Sequence, residues 1–331
     1  YMSIRKDLNN TFKSKNSFVN NYLYNRDFLD SIIGNVAVHN CLFYVLFEKS
    51  ITFQKKSVLC LYLLENQGWE KCLVYNWRKN NNNPIIGYTH NIIRCFDLRH
   101  FGFEIEFKSK SKTLPTNIAL CSPDSVAKMS EMKLPKNYFL KLEAIRYIYL
   151  NHSKSTPYTF KLDKKRLRIL CLTGITKEST VYHLKFLSDF YTKYNSQFNI
   201  SIVFKPHPFV LNTKKLIKKY LLNIKFTLSF ENLNTFKDSI DIALINCDTA
   251  AVIDITCMKI PFFLLKNPKL FNLSPILQYD YFFIETVEDF YEKLNNLERK
   301  KTYLNNFHQG NNKYYYLDEN LLRWKNLLAS I

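Results

Sequence analysis

The 331-residue chain lacks any long apolar run. Its longest runs are short, such as Val58–Leu64 and Ile260–Leu265, whereas a membrane-spanning helix needs about 20 apolar residues. Residues 1–20 are polar and do not resemble a secretory signal. These absences lead us to expect a cytoplasmic protein that can also lie peripherally on the inner face of the cytoplasmic membrane.

Paired cysteines are also missing. The eight cysteines stand singly and form no CxxC motif, so neither a zinc site nor a redox motif is indicated. Several lie within apolar segments, where a reduced thiol packs as a small hydrophobe. The chain also has no Asp-x-Asp triplet that would hold a metal with a nucleotide. We expect a reducing compartment and no bound metal or cofactor.

Acidic residues are few relative to basic ones. The chain has 47 Lys and Arg against 28 Asp and Glu, which gives a net charge of +19. This excess favours anionic partners, which include nucleic acid, anionic lipid and nucleotide-linked substrates. An alternative is that many lysines only solvate the surface, in a composition typical of an AT-rich genome. Lysines and aromatics form no known RNA-binding motif, so we expect no specific nucleic acid partner.

Glycine is scarce, with six residues, so the positions of the glycines are informative about where strands and helices end. In the first half, Ser57–Leu64 is predicted to be a buried strand. A helix follows, with Trp69 and Trp77 on one face. Further short strands are predicted at Ile85-Ile86 and Asn117–Cys121.

The same alternation resumes after a basic polar stretch, His152–Arg166, which is predicted to be a linker. Alternating strands and helices favour a parallel α/β sheet. We therefore predict an α/β fold with two halves, residues 1–155 and 156–331, joined by this linker and with the ligand cleft between them. The elements predicted in the second half are strands at Leu167–Leu172, Asn199–Phe204, Ile240–Ile245 and Ile260–Leu265, and helices at Lys177–Tyr194, Thr213–Leu222, Ala250–Met258 and Asp318–Leu328.

The first candidate site follows the strand Asn199–Phe204 and consists of Lys205, Pro206, His207 and Pro208. Ligands of open α/β sheets bind at the carboxyl ends of strands. Because two prolines restrict the backbone around His207, its ring can donate to a phosphate oxygen, with Lys205 adding positive charge. The alternative is a polar loop with a solvated histidine.

The second candidate site is the turn between strand Ile240–Ile245 and the helix after it. Asp248, Thr249 and Ala250 lie there, where a helix N-terminus offers unpaired N–H groups to a phosphate. The alternative role of Asp248 or Thr249 is that of an N-cap, which is compatible with phosphate binding. The Thr173-Gly174 turn resembles the first strand-to-helix turn of many nucleotide-binding domains, although it is neither GxGxxG nor a P-loop.

The third candidate site follows the strand Ser57–Leu64. Glu65 lies at the predicted carboxyl end of that strand, beside the side-chain amides of Asn66 and Gln67. A carboxylate at this edge of the sheet can act as a general base or as a nucleophile, and Glu65 suits either role. The alternative is a helix start in which Asn66 is the N-cap and Glu70 lies near the positive end of the helix.

The fourth candidate site follows the strand Ile85-Ile86. His90 comes after Gly87-Tyr88-Thr89, and Arg94, Asp97 and Arg99 follow it. His90 can orient an acceptor or donate to the departing phosphate, and Asp97 is a further candidate carboxylate. The two arginines can grip a sugar carboxylate in a bidentate manner. The alternative for His90 is a surface histidine near a turn.

Six sequence blocks run from about Leu61 to Leu265: LYLLENQGWEK, IIGYTHN, KLEAIRYIYL, LRILCLTGITKES, FKPHPF and NCDTAAVID. Together they resemble a bacterial surface-carbohydrate biosynthesis family of GT-B glycosyltransferases, related to enzymes that use CMP-activated sialic acid or Kdo. Two departures from related CMP-sialic-acid enzymes stand out: a serine-rich loop appears as NCDTAA, and an acidic Asp/Glu-Asp-Gly motif is missing.

The resemblance implies an α/β, GT-B-like fold with two Rossmann-like domains whose parallel sheets face a central cleft, an acceptor-side domain at 1–155 and a nucleotide-sugar donor-binding domain at 156–331. It also implies that His207 and Thr249 bind the phosphate of the donor and that Glu65 lies at the catalytic centre. It implies transfer of a CMP-activated nonulosonic acid or Kdo to a glycan or glycolipid precursor of the bacterial surface, with the nucleotide sugar as substrate. Because the acidic motif is missing, the stereochemical outcome stays open. Alternatives are a GT-B transferase that uses a UDP-sugar, GDP-sugar or CDP-polyol donor, and a non-catalytic nucleotide- or RNA-binding protein.

Overall fold

The computed structural model describes residues 29–53, 57–94, 97–100, 102–155, 166–221, 224–237, 239–300, 307 and 314–331. Residues 156–165 of the predicted linker lie outside this part. No helix within these ranges combines the length and apolar character needed to cross a bilayer.

Contacts divide the chain into two compact units. The first contains Tyr1–Tyr88 and Arg99–Ile118, and the second contains Thr89–Leu98 and Ala119–Ile331. Residues that precede the predicted boundary at 155/156 pack with the C-terminal segment. The backbone N–H of Ala144, for example, donates to Tyr316 O over 2.9 Å. The domain boundary at 155/156 stays a prediction.

The first sheet has the strand order β1-β2-β3-β4, and β1 runs parallel to β2. Strand β1 was predicted to be buried, but the exposed fractions of Leu61 and Leu63 are 45% and 51%. That prediction is wrong for one face of the strand. Side chains of a strand alternate between its two faces, and Tyr62, which lies between Leu61 and Leu63, turns inward against Trp69. The strands are β1 (Cys60–Leu63), β2 (Ile85–Thr89), β3 (Asn117–Leu120) and β4 (Phe139–Lys141).

Four helices of this half have both ends within the described residues. Helix α1, of 19 residues, packs against α2, and the Phe47 and Trp69 rings lie 6.3 Å apart. Sequence analysis did not predict α1, because apolar residues occupy all its sides and leave no helical period. The helices are α1 (Asn35–Phe53), α2 (Gly68–Asn80), α3 (Phe103–Lys108) and α4 (Pro123–Ser130), with 3-10 turns at Leu98–His100, Lys136–Tyr138 and Ile145–Ser155.

The second sheet has the order β10-β9-β8-β5-β6-β7, and all its neighbouring strands are parallel. The chain extends in one direction from β5 to β7 and then returns to the other side of β5 with β8. The order therefore reverses between β5 and β8. The strands are β5 (Leu167–Leu172), β6 (Ile200–Lys205), β7 (Phe226–Leu228), β8 (Ile242–Asn246), β9 (Phe262–Leu265) and β10 (Phe283–Ile284).

Helix α5 begins and ends where the sequence predicts. Thr176 caps it in a capping box with Ser179, which satisfies backbone donors of the first turn. Its inner face buries Leu184, Leu187 and Phe190, and Phe190 contacts Phe290 of α8 at 4.7 Å. The helices are α5 (Lys177–Tyr194), α6 (Thr213–Tyr220), α7 (Ala251–Cys257), α8 (Val287–Asn295) and α9 (Leu322–Ala329), with 3-10 turns at Leu233–Phe236, Asp280–Phe282 and Glu298–Lys300.

Candidate functional site

The site lies where the strand order of the second sheet reverses. In open α/β sheets, ligands bind outside the carboxyl ends of the strands at this switch point. Here the switch point is between β5 and β8. The segments that leave these two strands are Thr173-Gly174 and Cys247-Asp248, both of which contain residues that the sequence singles out.

Asp248 joins the loop after β8 to the loop after β5. Its Oδ2 atom accepts a hydrogen bond from the backbone N–H of Ile175 at 3.0 Å and from Ser179 Oγ at 2.7 Å. Its Oδ1 atom is buried and has no hydrogen-bond partner among the described residues. One carboxylate oxygen therefore holds the two loops together, and the other is a buried acceptor.

Gly174 leaves the space in which this hydrogen-bonded group fits. A Cβ atom at position 174 would lie 2.1 Å from Ser179 Oγ and 2.7 Å from Asp248 Oδ2. Neither distance is compatible with van der Waals packing. The glycine is therefore required by close approach.

His207 joins the loop after β6 to the same site. Its backbone N–H donates to Thr173 Oγ1 at 3.2 Å, and its ring Nδ1 accepts from the backbone N–H of Phe209 at 3.3 Å. Because Nδ1 accepts, the neutral ring carries its proton on Nε2, where it can donate to a ligand. Burial lowers the pKa of His207, and Asp248 and Arg94 act on it in opposite directions.

Arg94 brings positive charge to this group. Its guanidinium donates to the main-chain oxygen of Asp248 at 3.0 Å. The sequence suggested that Arg94 grips a sugar carboxylate, and that role stays a prediction. The structure places Arg94 beside the strand-end loops of the second sheet.

Three other predicted donor residues have contacts within the protein. The Lys205 ammonium donates to Glu231 O at 2.5 Å, and burial lowers the pKa of Lys205. Thr249 is buried, and its Oγ1 accepts from the backbone N–H of Ala251 at 3.3 Å. Ala250 is the N-cap residue of α7 and provides no side-chain cap. The roles of Lys205, Thr249 and Ala250 in donor binding stay predictions.

Glu65 belongs to the first compact unit. It is partly exposed, and its Oε1 lies 3.7 Å from the Arg99 guanidinium. The buried Glu70 carboxylate accepts from the backbone N–H groups of Glu65 and Asn66, each at 2.9 Å. Glu70 therefore positions the loop that carries Glu65. Asn66 was suggested as an N-cap, but the N-cap residue is Gln67, and Asn66 adopts a left-handed conformation with φ of 56°.

His90 and Asp97 lie in the segment Thr89–Leu98 of the second unit. The backbone N–H of Asp97 donates to Arg94 O at 3.1 Å. His90 is half-buried and directly follows β2. Their catalytic roles stay predictions, as does that of Glu65.

Two groups near these loops were not predicted from the sequence. Ser179 is one, although the Thr-x-x-Ser spacing of a capping box marks it as a helix-start residue. Asp254 of α7 is the other. It is buried with Oδ1 lacking a hydrogen-bond partner among described residues, and burial raises its pKa to about 7. Asp254 lies in a mostly apolar helix, and no local sequence pattern marks it as a residue of the site.

The described residues contain no group of three or more His, Cys, Asp or Glu side chains that could hold a metal ion. The positive charge in the arrangement above comes from the Arg94 guanidinium.

No protein-family model matches this sequence. No curated protein matches it either. Solved structures do resemble it. MnaA of S. aureus, solved with UDP, aligns with a TM-score of 0.56 and 10% identity over 85% of this chain and 78% of that one. HepE of Anabaena, in complex with UDP, aligns with a TM-score of 0.54 and 11% identity over 86% of this chain and 82% of that one.

UDP-GlcNAc 2-epimerase from Neisseria meningitidis, bound to UDP-GlcNAc, aligns with a TM-score of 0.52 and 12% identity over 87% of this chain and 80% of that chain. The fold is GT-B-like. This confirms the predicted fold class. At such low identities the likeness concerns the fold, and function must be argued from the residues themselves.

Proposed function

We propose that this chain is a glycosyltransferase that binds a nucleotide-sugar donor at the carboxyl edge of its second sheet and transfers the sugar to a glycan or glycolipid acceptor. The observation that carries the proposal is the hydrogen-bonded group at the switch point. There Asp248 joins two strand-end loops through Ile175 and Ser179. A ligand at this edge would meet both hydrogen-bond donors and acceptors.

The groups at this edge match the parts of a nucleotide sugar. The Nε2–H group of His207 and the guanidinium of Arg94 suit the anionic phosphate. The buried Oδ1 of Asp248 suits a hydroxyl of the sugar or the ribose, because a buried acceptor without a partner is costly and a ligand donor removes that cost.

The chemistry breaks the bond between the anomeric carbon and a phosphate oxygen and forms a bond from that carbon to the acceptor oxygen. The acceptor loses its proton to a base, and negative charge develops on the departing nucleotide phosphate. Arg94 and His207 would stabilise that charge. Glu65 is our candidate for the base or nucleophile, and His90 and Asp97 are further candidates for acceptor-side groups.

For the nucleotide we propose a uridine diphosphate, with CMP-linked sialic acid or Kdo as the alternative. The support for UDP comes from structures of similar fold that were solved with UDP or UDP-GlcNAc. The support for CMP comes from the sequence blocks described above. For the acceptor we propose a precursor of a bacterial surface polysaccharide or lipopolysaccharide.

The experiment is a thermal-shift and calorimetry panel with UDP, UMP, CMP and GDP, followed by assays with the matching nucleotide sugars. A ligand at 100 times its Kd should stabilise the protein by about 2.7 kcal/mol. UDP binding with transfer of sugar to an acceptor is expected. Selective binding of CMP would mean that the donor is a CMP-sugar and not a UDP-sugar. Conversion of a UDP-sugar into its epimer would mean that the reaction is epimerisation and not transfer. Salt-sensitive RNA binding without any nucleotide binding would contradict the proposal.

A further inference from the structure

Three apolar side chains protrude from two neighbouring loops of the second unit. The exposed fractions of Phe209, Leu211 and Phe230 are 79%, 80% and 75%. Phe209 and Leu211 follow β6, and Phe230 follows β7. Because β6 and β7 are adjacent and parallel, their carboxyl-end loops lie at the same edge of the sheet. The three side chains therefore lie in loops at the same edge of the second sheet.

The backbone holds Phe209 and Leu211 outward. Val210, between them, is buried, and its N–H donates to His207 O at 3.0 Å. Thr213 Oγ1 then donates to Val210 O at 2.7 Å, which fixes the turn at the start of α6. The residues around Val210 form turns, and while Val210 is buried both of its neighbours are exposed to solvent.

Helix α6 continues this surface with positive charge. Thr213 and Ile217 are buried, and this spacing turns one side of the helix toward the sheet. The opposite side carries only lysines, and all of them are exposed: Lys214, Lys215, Lys218 and Lys219.

Acidic residues are absent from this stretch of the sequence. Residues 206–230 contain five lysines and no Asp or Glu. None of the four α6 lysines forms a salt bridge with a described residue. The neighbouring acid is Glu231, whose carboxylate accepts from Thr235 Oγ1 at 3.2 Å. The positive charge of α6 is therefore not neutralised within this part of the protein.

We propose that this lysine-apolar surface, formed by Phe209, Leu211, Phe230 and the four α6 lysines, docks on an anionic lipid membrane. Exposed aromatic and aliphatic side chains beside lysines match the bilayer interface, where apolar groups enter the acyl boundary and lysines meet anionic headgroups. This combination fits lipid better than nucleic acid. Nucleic acids offer stacking partners to an aromatic ring but little to an exposed leucine such as Leu211.

Docking here would bring the His207 loop to the bilayer, since the backbone N–H of Phe209 donates to the His207 ring. A transferase that glycosylates a lipid-linked acceptor gains from this placement. That consequence rests on the proposed function, whereas docking itself does not. The test is therefore made without nucleotide and with no activity readout.

The experiment is flotation of the purified protein with vesicles of phosphatidylcholine alone and of phosphatidylcholine mixed with phosphatidylglycerol, at low and high salt. We expect binding to the anionic vesicles that weakens as salt rises. Changing the four α6 lysines to glutamine should lower partitioning by at least about 100-fold. The pair Leu211→Ser and Phe230→Ser should lower it by roughly tenfold or more. Both sets are exposed, and thermal melting confirms that the variants fold.

Two controls make the test specific. Four exposed lysines elsewhere in the same unit, changed to glutamine, remove the same charge: Lys136, Lys141, Lys269 and Lys325. Leu42→Ser with Leu46→Ser removes exposed apolar groups from helix α1. Both controls should leave partitioning within about threefold of wild type. Equal losses in a control, no binding by the wild-type protein, or binding to RNA but not to vesicles would overturn the proposal.

Discussion

Ser179 Oγ donates to Asp248 Oδ2 over 2.7 Å, and this bond joins the start of α5 to the loop after β8. Because Thr176 caps α5 through the same serine, the helix start and the strand-end loop form one hydrogen-bonded unit. At the switch point of the second sheet, a hydrogen bond thus joins two residues that are 69 positions apart in the sequence.

The first prediction concerns that contact. Ser179→Ala removes a hydrogen bond to a carboxylate, which typically contributes about 1.5–3 kcal/mol to the free energy of unfolding. Both the melting temperature and the affinity for the nucleotide should fall. Ser188→Ala, on the same helix, is the matched control and should change neither. A Ser179→Ala protein with wild-type melting and nucleotide affinity would show that the bond does not hold the site.

The second prediction concerns Gly174. Its substitution by alanine forces Ser179 Oγ and Asp248 Oδ2 apart, because the new Cβ would meet them at 2.1 and 2.7 Å. Nucleotide binding should be lost, and the melting temperature should fall. Gly102→Ala is the control, since a Cβ there has no neighbour within 4 Å. Equal nucleotide affinity in Gly174→Ala and wild type, measured by calorimetry, would contradict the assignment of the site.

The sequence predicted the second half of the fold well, because β5 and α5 carry strong local patterns. Leu167–Leu172 is apolar except for Arg168, and Lys177–Tyr194 directly follows a capping threonine. It predicted less in the first half. Helix α1 has apolar residues on every side, so periodicity could not reveal it.

The candidate site was predicted in part. The strand-end positions of Thr173, His207 and Asp248 follow from local patterns, since each comes after an apolar run. The positions of Ser179 and Arg94 do not, because they depend on contacts between residues distant in the chain. Lys205 shows the same limit: its ammonium donates to Glu231 O in the loop after β7, which no local pattern specifies.

The third prediction concerns His207. It lies in a partly exposed loop, so His207→Ala should cost little stability. Loss of a hydrogen bond to a charged phosphate costs about 1.5–3 kcal/mol, which is roughly 10- to 100-fold in kcat/KM for the donor. His39→Ala on α1 is the control, because His39 is exposed and lies in the first compact unit. An unchanged kcat/KM in His207→Ala would exclude the phosphate contact.

The fourth prediction concerns pH and Asp254. Burial raises its pKa to about 7, against an opposing effect of Arg146, and Tyr147, Tyr149 and Tyr315 also face it. The unfolded chain releases this proton at a pH of about 4. Between these values the unfolded state binds fewer protons than the folded state, so the free energy of unfolding contributed by Asp254 falls as pH rises.

Asp254→Asn cannot ionise and should not show this fall. Its stability relative to wild type should therefore improve between pH about 4 and about 7, by up to roughly 4 kcal/mol, and remain constant above that range. Urea unfolding across this pH range is the measurement. Asp189→Asn, exposed on α5, is the control for loss of a carboxylate at the protein surface. A constant difference between Asp254→Asn and wild type across this pH range would rule out the raised pKa.

The last prediction separates two neighbouring glutamates of the first unit. Glu65 is partly exposed beside Arg99, whereas Glu70 is buried and binds the backbone N–H groups of Glu65 and Asn66. Glu65→Gln keeps the size of the side chain and removes its charge. The fold and the nucleotide affinity should survive, while kcat should fall by about 10²- to 10⁴-fold if Glu65 is the base, and by more if it is the nucleophile.

Glu70→Gln should behave differently, because an amide offers one acceptor oxygen where the carboxylate offers two. The Glu65 loop should lose one of its two hydrogen bonds, so the melting temperature should fall together with the activity. Only Glu65→Gln is expected to lose activity without losing stability. If Glu65→Gln keeps more than about a tenth of the wild-type kcat while chemistry limits the rate, Glu65 is neither base nor nucleophile. Asp97 then becomes the next carboxylate to test, because it follows Arg94 in the segment that reaches Asp248.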